Sequence, residues 1–213
     1  YVLHVGHLAS GSLRCGDAVT ANIDTHNRSE IQSNHSCTHL LNHALRMILG
    51  EEVQQRGSRV DDERLRFDFS NNQAMTNKEV ERAEQLVNKA IQDDLLVDTA
   101  EVSLTKAKEI HGVRAVFGEQ YPDPVRVVSI GTTVEDLINN PSNTKWYDCS
   151  VEFCGGTHVQ KCGEAKQFVI VQEQALASGV RRIQALTGES ARVASENGTA
   201  IMQRTEDLHG LEG

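Results

Sequence analysis

The feature that most constrains this chain is a pair of short strings set far apart: His35-Ser36-Cys37-Thr38-His39 and Cys154-Gly155-Gly156-Thr157-His158. On a helix, residues four apart project from one face, so the first string sets two imidazoles side by side. In the second, a thiol and an imidazole flank a Gly-Gly pair, where the backbone can turn sharply enough to aim both inward. Three imidazoles and a thiol form a nitrogen/sulfur donor set suited to zinc. With nine His and five Cys in 213 residues, either string alone is weak. Together they predict one shared site, held by His35, His39, Cys154 and His158. A fold that satisfies it must come back to its first helix after more than a hundred residues.

The rest of the chain supplies elements for such a fold. Residues 1–24 alternate apolar and polar between Gly6, Gly11 and Gly16 and read as short strands of a small barrel or sheet, with 24–28 a polar linker. A helix is predicted over 29–49, stopped by Gly50. His43 continues the i, i+4 series but belongs to neither string and is read as structural. A hairpin is predicted from 53–60 and 65–69, with a turn at 60–63. Thr76-Asn77-Lys78-Glu79 matches a capping box, placing a helix from there to about 93. Strands are expected at 95–103, 125–130, 168–172 and 181–186, a short helix at 104–110 and a last helix at 190–208. The mixture predicts an α+β fold, a largely antiparallel sheet packed on helices, after a small N-terminal β-barrel remnant. Tyr1 opens in mid-strand without an initiator Met, so the chain reads as a piece of a longer protein.

Composition removes several functions. No apolar run approaches a membrane span and no signal-peptide pattern opens the chain. The five cysteines show no disulfide-framework spacing, which favours a reducing setting. A net charge of -9 and 4% aromatic residues argue against general nucleic-acid binding by phosphate neutralisation or base stacking. Arg56, Arg59, Arg64, Arg66 and the doublet Arg181-Arg182 leave room for a local basic patch, although Asp61, Asp62 and Glu63 make a charge-balanced surface the plainer reading.

Among zinc enzymes, a helical peptidase motif needs Glu directly after its first His, and this chain has Ser36. The nucleobase deaminase signature, His-x-Glu with Pro-Cys-x-x-Cys, is absent. A structural site stays open, because four protein ligands close a tetrahedron that catalytic zinc usually leaves open. So does a nucleophilic Cys154 with an imidazole base. Cys37 reads as buried, and Cys15, Cys149 and Cys162 as structural.

The runs Asn34-His35-Ser36-Cys37-Thr38-His39-Leu40-Leu41, Gln55-Arg56-Gly57-Ser58, Leu65-Arg66-Phe67-Asp68-Phe69, Cys154-Gly155-Gly156-Thr157-His158-Val159 and Gly179-Val180-Arg181-Arg182-Ile183 closely resemble the editing domain of alanyl-tRNA synthetase. That domain also occurs as free-standing trans-editing proteins. Threonyl-tRNA synthetase editing domains share the HxxxH and CxxxH pattern, but the LRFDF and GVRRI runs favour the alanyl type. The resemblance implies residues 1–27 as the end of a small barrel with its linker, and 28–213 as the editing domain. It implies hydrolysis of the ester joining serine or glycine to the 3′-terminal adenosine of tRNA(Ala), with zinc on His35, His39, Cys154 and His158. Thr38 would sense the seryl hydroxyl, Gln55 would contact substrate or position water, and Arg181 and Asp68 would hold the terminal nucleotide. Cys37 departs from the Ala found in many relatives. The implied partners are the tRNA(Ala) acceptor end and the rest of a cytoplasmic synthetase, whose ATP-using aminoacylation domain lies outside this chain. A non-catalytic, zinc-stabilised docking module is the alternative.

Overall fold

Helix α1 (Thr25–Leu49) is the element around which the others are arranged, and its middle, from Ser33 to Leu41, is almost wholly buried. In this computed structural model, which describes residues 3–116 and 118–210, α1 packs against α2 (Asn77–Gln92) and against strands of two separate antiparallel sheets. The α+β expectation is met.

The first sheet has the order β1-β2-β7-β6, from β1 (Gln55–Val60), β2 (Leu65–Ser70), β6 (Phe168–Ala177) and β7 (Val180–Thr187). Strand alternation sends Leu65, Phe67 and Phe69 of β2, with Ile183 and Ala185 of β7, into the core shared with α1 and α2. The intervening positions Arg66 and Asp68, opposite Gln184 and Arg182, face the other way. The Thr76 and Glu79 capping box opens α2 as the sequence implies.

The second sheet has the order β3-β4-β5: β3 (Val97–Val102), β4 (Val125–Ile130) and β5 (Ser150–Phe153). Strand β4 is buried on both faces, which explains its nearly continuous apolar run. Val128 and Ile130 join the core with α1, while Val125 and Val127 join a second cluster. That cluster is closed by Ala107 of α3 (Leu104–Lys108) and Val134 and Leu137 of α4 (Val134–Asn139). The last described element is α5 (Gly188–Gly210).

Four expectations need correction. Residues 3–24 form no strand; Leu3, Val5, Leu8, Leu13, Val19 and Ile23 are all exposed, so the barrel remnant is not seen there. Alternation marks residues that suit a strand, but a strand needs a partner for its backbone groups, and no described segment provides one. The start of that segment, residues 1 and 2, lies outside the described residues. The expected linker at 24–28 is the first turn of α1, because the Asp24 carboxylate caps it by accepting from the amides of His26 and Asn27. Helix α4, β5 and the 3-10 turns at Thr144–Asp148 and Cys162–Ala165 were not foreseen, each being too short to show a period. Finally, β6 runs on to Ala177, past the expected 172.

Candidate metal centre

Strand β5 explains why the distant loop meets α1. Its alternation turns Val151 and Phe153 into the second cluster and Ser150 and Glu152 towards α1. Cys154 follows in the same phase. The Ser150 hydroxyl donates to the carbonyl of His39 at 3.4 Å, and Glu152 accepts from the amide of Asn42 at 2.8 Å. One step on, the Cys154 Sγ lies 3.5 Å from His35 Nε2. His158 closes the group, its ring centroid 4.2 Å from that of His35 and 4.5 Å from that of His39. One donor atom from each of His35, His39, Cys154 and His158 falls within 4.8 Å of the others. The cluster is able to hold a metal ion.

The turn after β5 is fixed from outside. Arg126 of β4 donates from one Nη1 to the carbonyls of Cys154 (2.9 Å) and Gly156 (2.6 Å). The Gly156 amide donates to the Cys154 sulfur at 3.4 Å. A Cβ at Gly156 would stand 2.2 Å from Cε1 of His35, so loop and ring approach more closely than any other residue permits.

Each imidazole has an outer contact. His35 Nδ1 meets the carbonyl of Thr157 at 3.1 Å; a carbonyl only accepts, so this ring carries its proton on Nδ1 and leaves the Nε2 lone pair free. His158 Nδ1 meets the Ser36 hydroxyl at 3.1 Å, an oxygen that also accepts from the Val159 amide. The buried Nε2 of His158 has no hydrogen-bond partner in the protein. His39 Nδ1 faces Glu152 Oε2 at 3.6 Å. Burial, then the mutual presence of the rings and Arg126, holds His39 far below the usual imidazole range and His158 down to about 3. Burial lowers His35 as well. The rings are therefore neutral, the form that binds metal.

Burial raises the Cys154 thiol, which counts against a free nucleophilic thiolate and leaves a dication as the natural agent to draw off its proton. An unpartnered buried nitrogen, three neutral imidazoles and a thiol converging at these distances fit a nitrogen/sulfur metal.

The remaining candidates are placed differently. Thr38 is buried in α1 and its hydroxyl donates to the carbonyl of Asn34 at 2.8 Å. Gln55 opens edge strand β1, donates to the Ser58 hydroxyl at 3.0 Å, and lines a cleft with Asn42, Arg114 and Glu152. Asp68 is buried and takes both oxygens to Arg182, at 2.7 and 2.8 Å. Arg181 is engaged likewise by Glu173, at 2.6 and 2.7 Å, through Nε and Nη2. Within the basic patch Arg59 pairs with Asp61, Arg64 with Glu63 and Arg66 with Asp68. His43 and Cys37 are held inside as read, with Cys37 fully buried.

Sequence reasoning missed Ser36, Asn42, Arg126 and Glu152. Two signals were available: the polar phase Ser150, Glu152, Cys154 in an otherwise apolar strand, and the lone arginine in Val125–Ile130.

Fold and site define the class: an α+β domain built around a buried cluster of three histidines and a cysteine. The family described as threonyl and alanyl tRNA synthetase second additional domain matches residues 125–184, from β4 through Cys154 and His158 into β7. The chain is 54% identical over 211 residues to an alanine–tRNA ligase of Candida albicans, covering 99% of this chain and 22% of that protein. It is 49% identical over 215 residues to the cytoplasmic alanine–tRNA ligase of Dictyostelium discoideum, covering 100% of this chain and 23% of that one. A mitochondrial alanine–tRNA ligase of Saccharomyces cerevisiae shares 50% over 191 residues, 90% of this chain and 19% of that protein. Residues 125–184 thus match the threonyl and alanyl tRNA synthetase second additional domain, and nearly the whole chain is similar to one stretch of alanine–tRNA ligases. It spans about a fifth of the length of the relatives it matches.

Proposed function

We propose that this domain hydrolyses seryl- and glycyl-tRNA(Ala) at the 3′-terminal adenosine ester, as part of an alanine–tRNA ligase in the cytoplasm. The observation that carries the reading is the convergence of His35, His39, Cys154 and His158, in a chain so similar to those ligases. These four residues would hold zinc, which when bound supplies a Lewis acid for a carbonyl or for water. Ester hydrolysis asks little covalent help of a protein; it asks for position and discrimination.

Thr38 suits discrimination because its proton is committed to the Asn34 carbonyl. Its oxygen therefore offers lone pairs, which a seryl hydroxyl can answer and an alanyl methyl cannot. A polar site of this kind rejects the analogue lacking the partner group. Gln55, in the cleft that also reaches Glu152, is assigned to substrate contact or to positioning water. Arg181 keeps one guanidinium nitrogen uncommitted among the described residues and is assigned to the terminal nucleotide, with Asp68 acting through Arg182. The partners are the tRNA(Ala) acceptor end and the rest of the ligase. No described helix is long and apolar enough to cross a membrane.

The test is deacylation of seryl-, glycyl- and alanyl-tRNA(Ala) by the wild type and by Cys154→Ala. Release of serine and glycine but not alanine, lost in the variant, supports the hydrolase. Equal and negligible rates for both proteins support a zinc-stabilised docking module instead.

A further inference from the structure

Glu152 is a carboxylate on the face of β5 that meets α1. Its side chain is 12% exposed. Arg46 and Arg114 border the same small cavity, but Arg46 is spent on the carbonyls of Gly112 and Tyr147 and on Glu51, and Arg114 on Glu51. Among the described residues, the basic group within ion-pair distance of Glu152 is the imidazole of His39. Burying a carboxylate without a paired cation is costly, so its presence calls for a compensating role.

The geometry supplies one. Asn42, one turn beyond His39 and itself buried, donates to Oε1 of Glu152 at 2.8 Å and fixes the carboxylate. The other oxygen then faces His39 Nδ1, a buried nitrogen that has no other partner. We propose that Glu152, held by Asn42, is the positioning residue of the metal centre: it accepts a hydrogen bond from the Nδ1–H of His39 and so presents the opposite nitrogen to the cation. This rests on the metal reading given above. Ligating histidines commonly give their second nitrogen to a carboxylate, which fixes the tautomer and raises ligand basicity.

The experiment measures zinc affinity by chelator competition, and the Tm of the metal-free protein, for the wild-type 213-residue chain, Glu152→Leu, Glu152→Gln and Asn42→Ala. Glu152→Leu should bind zinc about 10–100-fold more weakly, with a metal-free Tm equal to or above wild type, since an apolar side chain replaces a buried charge. Glu152→Gln keeps a carbonyl acceptor and should fall between, and Asn42→Ala should weaken binding in the same direction. Affinity within twofold of wild type in Glu152→Leu overturns the proposal. So does a weakening that tracks an equal loss of metal-free stability. Should Glu152→Leu not fold, Glu152→Gln decides by the same threshold. A wild type that binds no zinc removes the metal reading and this inference together; tight wild-type binding with unchanged variants removes the inference alone.

Discussion

Two regions of this domain bury charged or polar side chains, and they do so differently. Across β2 and β7, Asp68 and Arg182 close on each other through two hydrogen bonds, and beside them Arg181 closes on Glu173. Between α1 and the turn after β5, the inward nitrogen of His158 has no partner, and the rings repel one another's protons. In the first region each of these charged groups closes on an opposite charge within the protein. The second has the donor set to hold a cation. A buried polar group that satisfies its neighbour argues for stability, whereas one left unsatisfied argues for a ligand.

The sharpest way to break this contrast is to disturb each region and ask which property follows. Gly156→Ala places a methyl where the His35 ring now stands. We expect zinc affinity to fall by at least about 100-fold, in the range of losing a ligand's placement, with far-ultraviolet circular dichroism retained. Unchanged affinity would mean that His35 takes no part. Asp68→Asn should do the reverse. It weakens the pair with Arg182 inside the sheet, so Tm should fall on the order of 5 °C while zinc affinity stays within twofold. A matching loss of zinc affinity would join the two regions into one.

Thr38→Val sits between them. Losing the bond to the Asn34 carbonyl should cost about 1 kcal/mol in denaturant unfolding, yet deacylation of seryl-tRNA should fall at least about tenfold. A stability change without a rate change would make the hydroxyl a helix-packing device only.

A further expected effect concerns pH. Burial, aided by Arg46, holds His43 down to about 4, below its unfolded value. A depressed imidazole contributes stability that is present above about pH 6.5 and is lost as pH falls towards 4, because the unfolded chain takes the proton first. With a chelator present throughout, His43→Asn should flatten the dependence of unfolding free energy on pH in that window. An unchanged slope would remove His43 from the account.

Much of this was legible in the sequence, for identifiable reasons. The capped helices, the 65–69 strand and the doubly buried β4 announced themselves by caps and periodicity that packing then used. The four converging residues were legible because a helical pair and a glycine-bracketed pair have little else in common. What failed was either too short to carry a period, such as β5 and α4, or dependent on partners. Residues 3–24 alternate like strands but have nothing to pair with. The partner of Asp68 was not legible: it engages Arg182 bidentately because strand register sets the two opposite, a long-range fact no local pattern records. Glu152 and Asn42 were invisible for the same reason, 110 residues apart along the chain.

X-ray absorption at the zinc edge of the purified chain tests the central claim most directly. The account predicts one sulfur at about 2.3 Å and three nitrogens at about 2.0–2.1 Å, with the sulfur contribution gone in Cys154→Ala. A shell of oxygens without sulfur, or a spectrum that Cys154→Ala leaves unchanged, would contradict it.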